Sequence, residues 1–135
     1  MTMTRMTTMK RKRLGIPMIA ACVLYAAGAA QADTVTDWNE IMEETVSAAP
    51  TNPIFQTRWG AIVQLAVFEA ANAIVGDYEP YLGVIDAPAW ASPDAAVIAA
   101  AHGTLVSLRP GSAPALDALR DGALAEIPDG PEKEA

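Results

Sequence analysis

One segment constrains the fold of this chain more than any other. Between Trp59 and Val75, 13 of 17 residues are apolar, and Gly60, Gln64, Glu69 and Asn72 are the exceptions. At about 3.6 residues per turn such a run places apolar side chains on every face of a helix. A helix that is apolar all round cannot lie on a surface with one stripe turned inward; it needs protein on all sides, or a membrane. The stretch is shorter than the roughly 20 apolar residues of a spanning helix, and Glu69 interrupts it. What remains is a buried helix over about Thr57 to Val75, surrounded by other helices.

The flanking sequence supplies those neighbours. A first helix is predicted from about Asp37 to Ala48, with Thr36 as N-cap and Asp37 and Glu40 near the positive end of the dipole. Trp38, Ile41, Met42 and Thr45 or Val46 form its apolar stripe, and Ala49-Pro50-Thr51-Asn52-Pro53 ends it. After an irregular link with two tyrosines (Gly76 to Tyr81) and a Pro-bearing loop (Leu82 to Trp90), Ser92-Pro93-Asp94 opens a third helix. That helix runs to Arg109, where Pro110-Gly111 stops it. Ser112 is read as the cap of a fourth, with Leu116, Leu119, Ala123 and Ile127 turned inward and Pro128-Asp129-Gly130 closing it. No alternating strand pattern of useful length occurs. The fold class expected is all-α, a partial bundle of about four helices.

The last six residues, Gly130 to Ala135, read as the first turn of a fifth helix. With a second helix that three short neighbours cannot cover, this predicts an incomplete chain lacking further helices. The alternative is a small complete bundle with a frayed tail.

The amino terminus carries a different message. Lys10-Arg11-Lys12-Arg13 precedes an uncharged apolar run from Leu14 to Ala29, and Ala30-Gln31-Ala32 follows. A basic region, an apolar region and an A-x-A site in that order predict a secretory signal over residues 1–32, cleaved after Ala32. Retention as an anchor is disfavoured by the run's length and by Gly15, Pro17 and Gly28. Ile19-Ala20-Ala21-Cys22 also resembles a lipobox, so a lipoprotein acylated at Cys22 is the minor alternative. The expected location is periplasmic or secreted, with no stable membrane anchor after cleavage. Cleavage removes the single Cys and, with it, any disulfide or thiolate metal site.

It also changes the charge. Of 9 basic residues, Arg5 and Lys10 to Arg13 lie before the cleavage point, whereas all 16 acidic residues lie at or beyond Asp33. Residues 33–135 therefore carry four basic and 16 acidic residues, a formal charge of −12. A field of that sign repels phosphate backbones and argues against a nucleic-acid partner. Apolar helices left uncovered would instead favour self-association.

Candidate chemistry is sparse. One His and no Cys after the signal exclude the usual zinc sets, and Glu43-Glu44, Glu69 and Asp77/Glu79 lack the ladder of a calcium loop. Ser107, His102 and an acid could form a triad on paper, but no nucleophile-elbow sequence is present and His102 lies on an apolar helix face. Glu69 is the unusual group: a carboxylate on a nearly all-apolar helix must pair or be protonated if buried. Arg58, eleven residues earlier, is too far along one helix to reach it, so an ion pair with a segment beyond this chain is the expectation.

Several short runs carry a family resemblance. Asp33-Thr34-Val35-Thr36-Asp37-Trp38-Asn39, Thr51-Asn52-Pro53, Arg58, and the stretch Ala61 to Ile74 with Val67-Phe68-Glu69-Ala70-x-Asn72 come first. Tyr78-Glu79-Pro80-Tyr81, Ala100-Ala101-His102 and Ile127-Pro128-Asp129-Gly130 follow in order. Together, over nearly all of 33–135, these resemble the amino-terminal portion of bacterial vanadium-dependent haloperoxidase-like proteins, of the type 2 phosphatidic acid phosphatase superfamily. The resemblance implies an all-α bundle that holds vanadate or phosphate. Three later segments, K-x6-R-P, P-S-G-H and S-R-x5-H-x3-D, supply Lys and Arg against the oxyanion and two essential histidines. In haloperoxidases the vanadate activates peroxide to oxidise halide; in the phosphatases the same pocket hydrolyses phosphate esters.

None of those segments is present here. His102-x6-Arg109-Pro110 imitates the first, with His for Lys, but falls among the family's early helices. No catalytic, cofactor-binding or metal residue can be carried over. The resulting expectation is the scaffold part of an exported haloperoxidase-like or phosphatase-type protein, inactive alone, with vanadate belonging to the full-length family. A small acidic helical interaction protein is the rival reading.

Overall fold

In a computed structural model of the protein, residues 33–135 are described. The predicted signal sequence, its expected cleavage point and the Cys22 alternative lie outside them. Five helices follow in order: α1 (Thr34–Ser47), α2 (Pro53–Val75), α3 (Pro93–Leu108), α4 (Ala113–Ala125) and the single turn α5 (Pro131–Glu134), with a 3₁₀ turn over Pro110–Ser112. Among the described residues there is no strand, and the fold class is all-α, as the sequence predicts. No helix among them is long and apolar enough to cross a membrane.

Two helices start earlier than expected, each for a local reason. The cap of α1 is Asp33, not Thr36: its carboxylate accepts from the Thr36 N–H at 2.9 Å and from the Thr36 hydroxyl at 3.2 Å. The three-residue spacing sets the carboxylate over the third amide of the helix, at the positive end of the dipole. α2 begins at Pro53 rather than near Thr57, because the Asn52 side chain accepts from the Ile54 N–H at 2.9 Å. Proline is costly inside a helix but suited to its first position. The run that stops α1 therefore also starts α2.

The other ends follow from residue type as well. α2 stops at Gly76, whose φ of +72° is a left-handed geometry that glycine adopts without a Cβ clash. Ser92 caps α3 as expected, accepting from the Ala95 N–H at 3.2 Å. Ser112 does not cap α4: it lies within the 3₁₀ turn, donates its own N–H to the Arg109 carbonyl and makes no side-chain cap.

The centre of the bundle is α3. Ala101 and Leu105 are completely buried and Val97 and Ile98 nearly so. Onto them pack Trp38, Met42 and Val46 of α1 at four-residue spacing, Val63 and Val67 of α2, and Leu116 of α4. This corrects the expectation that α2 would be the enclosed helix. The alanines of α3 let helices approach from several sides, whereas α2, 23 residues long against 16, buries one side and leaves Ile54, Phe55 and Ile62 exposed. α1 and α2 lie close at Gly60, where an added Cβ would meet Met42 Sδ at 3.3 Å. The Gln64 amide donates to Asn39 Oδ1 across the same contact. In α4 the predicted inward stripe holds at Leu116, Ala123 and Ile127, but Leu119 is 47% exposed.

Candidate functional site

The two buried polar side chains of α2 lie three residues apart, one turn, near its carboxyl end. Glu69 is 3% exposed and Asn72 8%. Glu69 Oε1 accepts from the backbone N–H groups of Tyr81 and Leu82, at 2.6 and 2.8 Å. The Asn72 amide donates to the Tyr78 carbonyl at 2.8 Å, and its Oδ1 accepts from the Tyr78 N–H at 2.9 Å. One turn of helix thus fastens residues 78–82 through four hydrogen bonds to backbone. The Phe68 ring adds a tilted contact with Tyr78, centroids 6.2 Å apart. A small cavity of about 210 Å³ opens between this clamp and Val84 and Ile85.

This arrangement answers the question Glu69 posed. Two amides of the chain itself meet the carboxylate, and among the described residues no ion pair includes Glu69 or Arg58. Backbone N–H groups satisfy a buried carboxylate as charge-assisted donors. The chemistry is positional: no nucleophile and no cation adjoins the carboxylate in these contacts.

The second polar cluster joins α3 to α4. His102 Nε2 lies 2.7 Å from Asp117 Oδ1, with the imidazole side chain 13% and the carboxylate 49% exposed. The Trp38 ring meets the imidazole edge-on, centroids 6.5 Å apart at 89°. Arg120 stands 3.4 Å from the same Asp117 oxygen and hydrogen-bonds Asp121. That hydrogen bond, with the nearby carboxylate charges, holds the guanidinium above its usual pKa despite some desolvation. His102 is therefore satisfied, as its place on an apolar face suggested.

The other sequence candidates do not converge on it. Ser107 is five residues further along α3, about 140° around the axis, and its hydroxyl donates to the Gly103 carbonyl at 2.8 Å. The imidazole has a carboxylate partner and, among the described residues, no hydroxyl hydrogen-bonded to it. Among the described residues no three His, Cys, Asp or Glu side chains group to hold a metal. The His102-x6-Arg109-Pro110 run is the second half of α3 and its exit, Arg109 being the last cap residue. Of the described cationic side chains, His102 and Arg120 contact carboxylates and Lys133 contacts Asp129, whereas Arg58 and Arg109 are in no ion pair among the described residues.

Sequence reasoning missed Asn72 and Asp117. For Asn72 a signal existed, an amide on an apolar helix one turn before a glycine cap, at the edge of a link without helix pattern. For Asp117 none did: it sits on the face of α4 that reads as solvated, and only the α3–α4 crossing brings it to His102. No family model matches the chain, and no curated protein or solved structure matches it.

Proposed function

We propose that residues 33–135 are a non-catalytic helical scaffold, the amino-terminal part of an exported vanadium-dependent haloperoxidase-like protein. In this reading the bundle supports an oxyanion pocket whose Lys, Arg and His residues come from elsewhere. A phosphatase-type parent shares the scaffold and differs in the chemistry it carries.

The observation that supports the reading most is where the resembling residues fall. Glu69, Asn72 and Tyr78 to Tyr81 carry much of the resemblance, and they make the clamp. Asp33 and Asn52, from two further runs, are helix caps. The residues that carry the resemblance thus hold helix ends and the loop in place, which supports a scaffold reading.

The test is to sequence the DNA downstream of the codon for Ala135. A continuation, in frame or frameshifted, encoding K-x6-R-P, P-S-G-H and the later His segment is expected. Unrelated sequence there would end the haloperoxidase reading and favour a small acidic interaction protein. The chain itself is expected to show no saturable binding of vanadate at micromolar concentration by isothermal titration; a saturable isotherm would contradict the scaffold reading.

A further inference from the structure

α1 and α4 both pack against α3, and a groove of about 680 Å³ lies between them. Its floor is apolar, made by Ile41, Ile98 and Ile127 among others, and Leu119 opens onto it. This accounts for the one stripe residue of α4 that is not covered. The rim is anionic: Asp33, Asp37, Asp94 and Glu126 line the groove, and among the described residues no Lys, Arg or His does. A trough between two helices seats a third helix when the entering face is apolar, and this rim selects one that is also basic.

The same chain displays such a face. At the start of α2, Ile54 is 75% exposed, Phe55 53% and Ile62 40%, and Arg58 is exposed among them. Residues 54, 58 and 62 follow four-residue steps, so they form one line along the helix. From Pro53 to Phe68 there is no acidic residue, and Arg58 has no ion pair among the described residues. Among the described residues, an apolar face with a cation and an apolar groove with carboxylates are therefore both left without a partner.

We infer that the first half of α2 of one copy docks in the α1–α4 groove of a second copy. Groove and face are different surfaces, so the contact is heterologous and adds copies in rings or chains.

Sedimentation equilibrium of the full chain, with concentration and salt varied, tests this. The weight-average mass is expected to rise with protein concentration and to fall as salt screens the contact. Arg58→Glu or Glu126→Lys alone should weaken association about tenfold, reversing one attraction at a partly desolvated rim. Lys suits the end of a helix, so Glu126→Lys should leave the circular-dichroism melt unchanged. An equimolar mixture of the two variants should regain association, because each supplies what the other's partner lacks. A chain monomeric at all concentrations, or either variant associating as strongly as the parent chain, would overturn the inference and leave the groove to a basic helix of another protein.

Discussion

Replacing Glu69 separates what its charge does from what its position does. Both loop amides meet one oxygen, Oε1, at 2.6 and 2.8 Å. Charge-assisted hydrogen bonds contribute about 1.5–3 kcal/mol each, so Glu69→Ala removes a gross ~3–6 kcal/mol. Two effects reduce this. Tyr81 and Leu82 are 76% and 69% exposed, so water reaches the freed amides, and the cost of desolvating a carboxylate that is 3% exposed disappears. The net loss expected is about 2 kcal/mol. Glu69→Gln keeps an acceptor at the Oε1 position and surrenders only the charge, so it should cost ~1 kcal/mol or less. Urea unfolding followed by tryptophan fluorescence, to which the buried Trp38 contributes, measures both. Chymotrypsin should cut Glu69→Ala sooner near Tyr78 and Tyr81 than Glu69→Gln. If Gln proves as damaging as Ala, the charge has a partner other than the loop amides and the clamp account fails. If neither variant moves the midpoint, the loop is held by other contacts.

Further outcomes follow from other parts of the bundle. Gly103→Ala and Gly122→Ala, helical positions where a Cβ meets nothing within 4 Å, should each stabilise by about 0.5–1 kcal/mol in thermal unfolding. Gly60→Ala should gain less because Met42 Sδ must give way; equal gains at all three sites would contradict the close α1–α2 approach. A double-mutant cycle on His102→Ala and Asp117→Ala should return a coupling of ~1 kcal/mol, and additive losses would mean the pair does not tie α3 to α4. The Lys133 hydrogen bond, then its charge, holds the Asp129 carboxyl below its ordinary pKa. A depressed acid stabilises above its unfolded pKa and loses that contribution as pH falls through the folded one. An NMR titration should place the Asp129 midpoint below the ordinary value, and Lys133→Met should raise it; no change would dismiss the pair.

Much of the fold is legible in the sequence because it is set locally. The four longer helices, the Ser92 start and the Pro110-Gly111 break follow from caps and periodicity. The misplaced start of α1 reflects competing capping residues three positions apart, Asp33 and Thr36, and that of α2 an Asn52-Pro53 pair that reads equally as the end of α1. Which helix is central was not legible: hydrophobicity pointed to α2, but enclosure follows close approach, and the small side chains of α3 allow it. The clamp was half legible. Glu69 stood out as a carboxylate among apolar residues, while its partners are backbone amides, which every residue but proline carries and no side-chain pattern marks.

The last turn of the chain reaches back to the beginning of α3. The Ser92 N–H donates to the Glu132 carbonyl at 2.7 Å, and Lys133 Nζ reaches the Ile127 carbonyl at 3.2 Å. Ser92 is thereby made a clock for an event remote in sequence. Its amide proton can exchange with solvent deuterium only when α5 lets go, so its exchange rate reports how often α5 opens while the rest of the bundle stays folded.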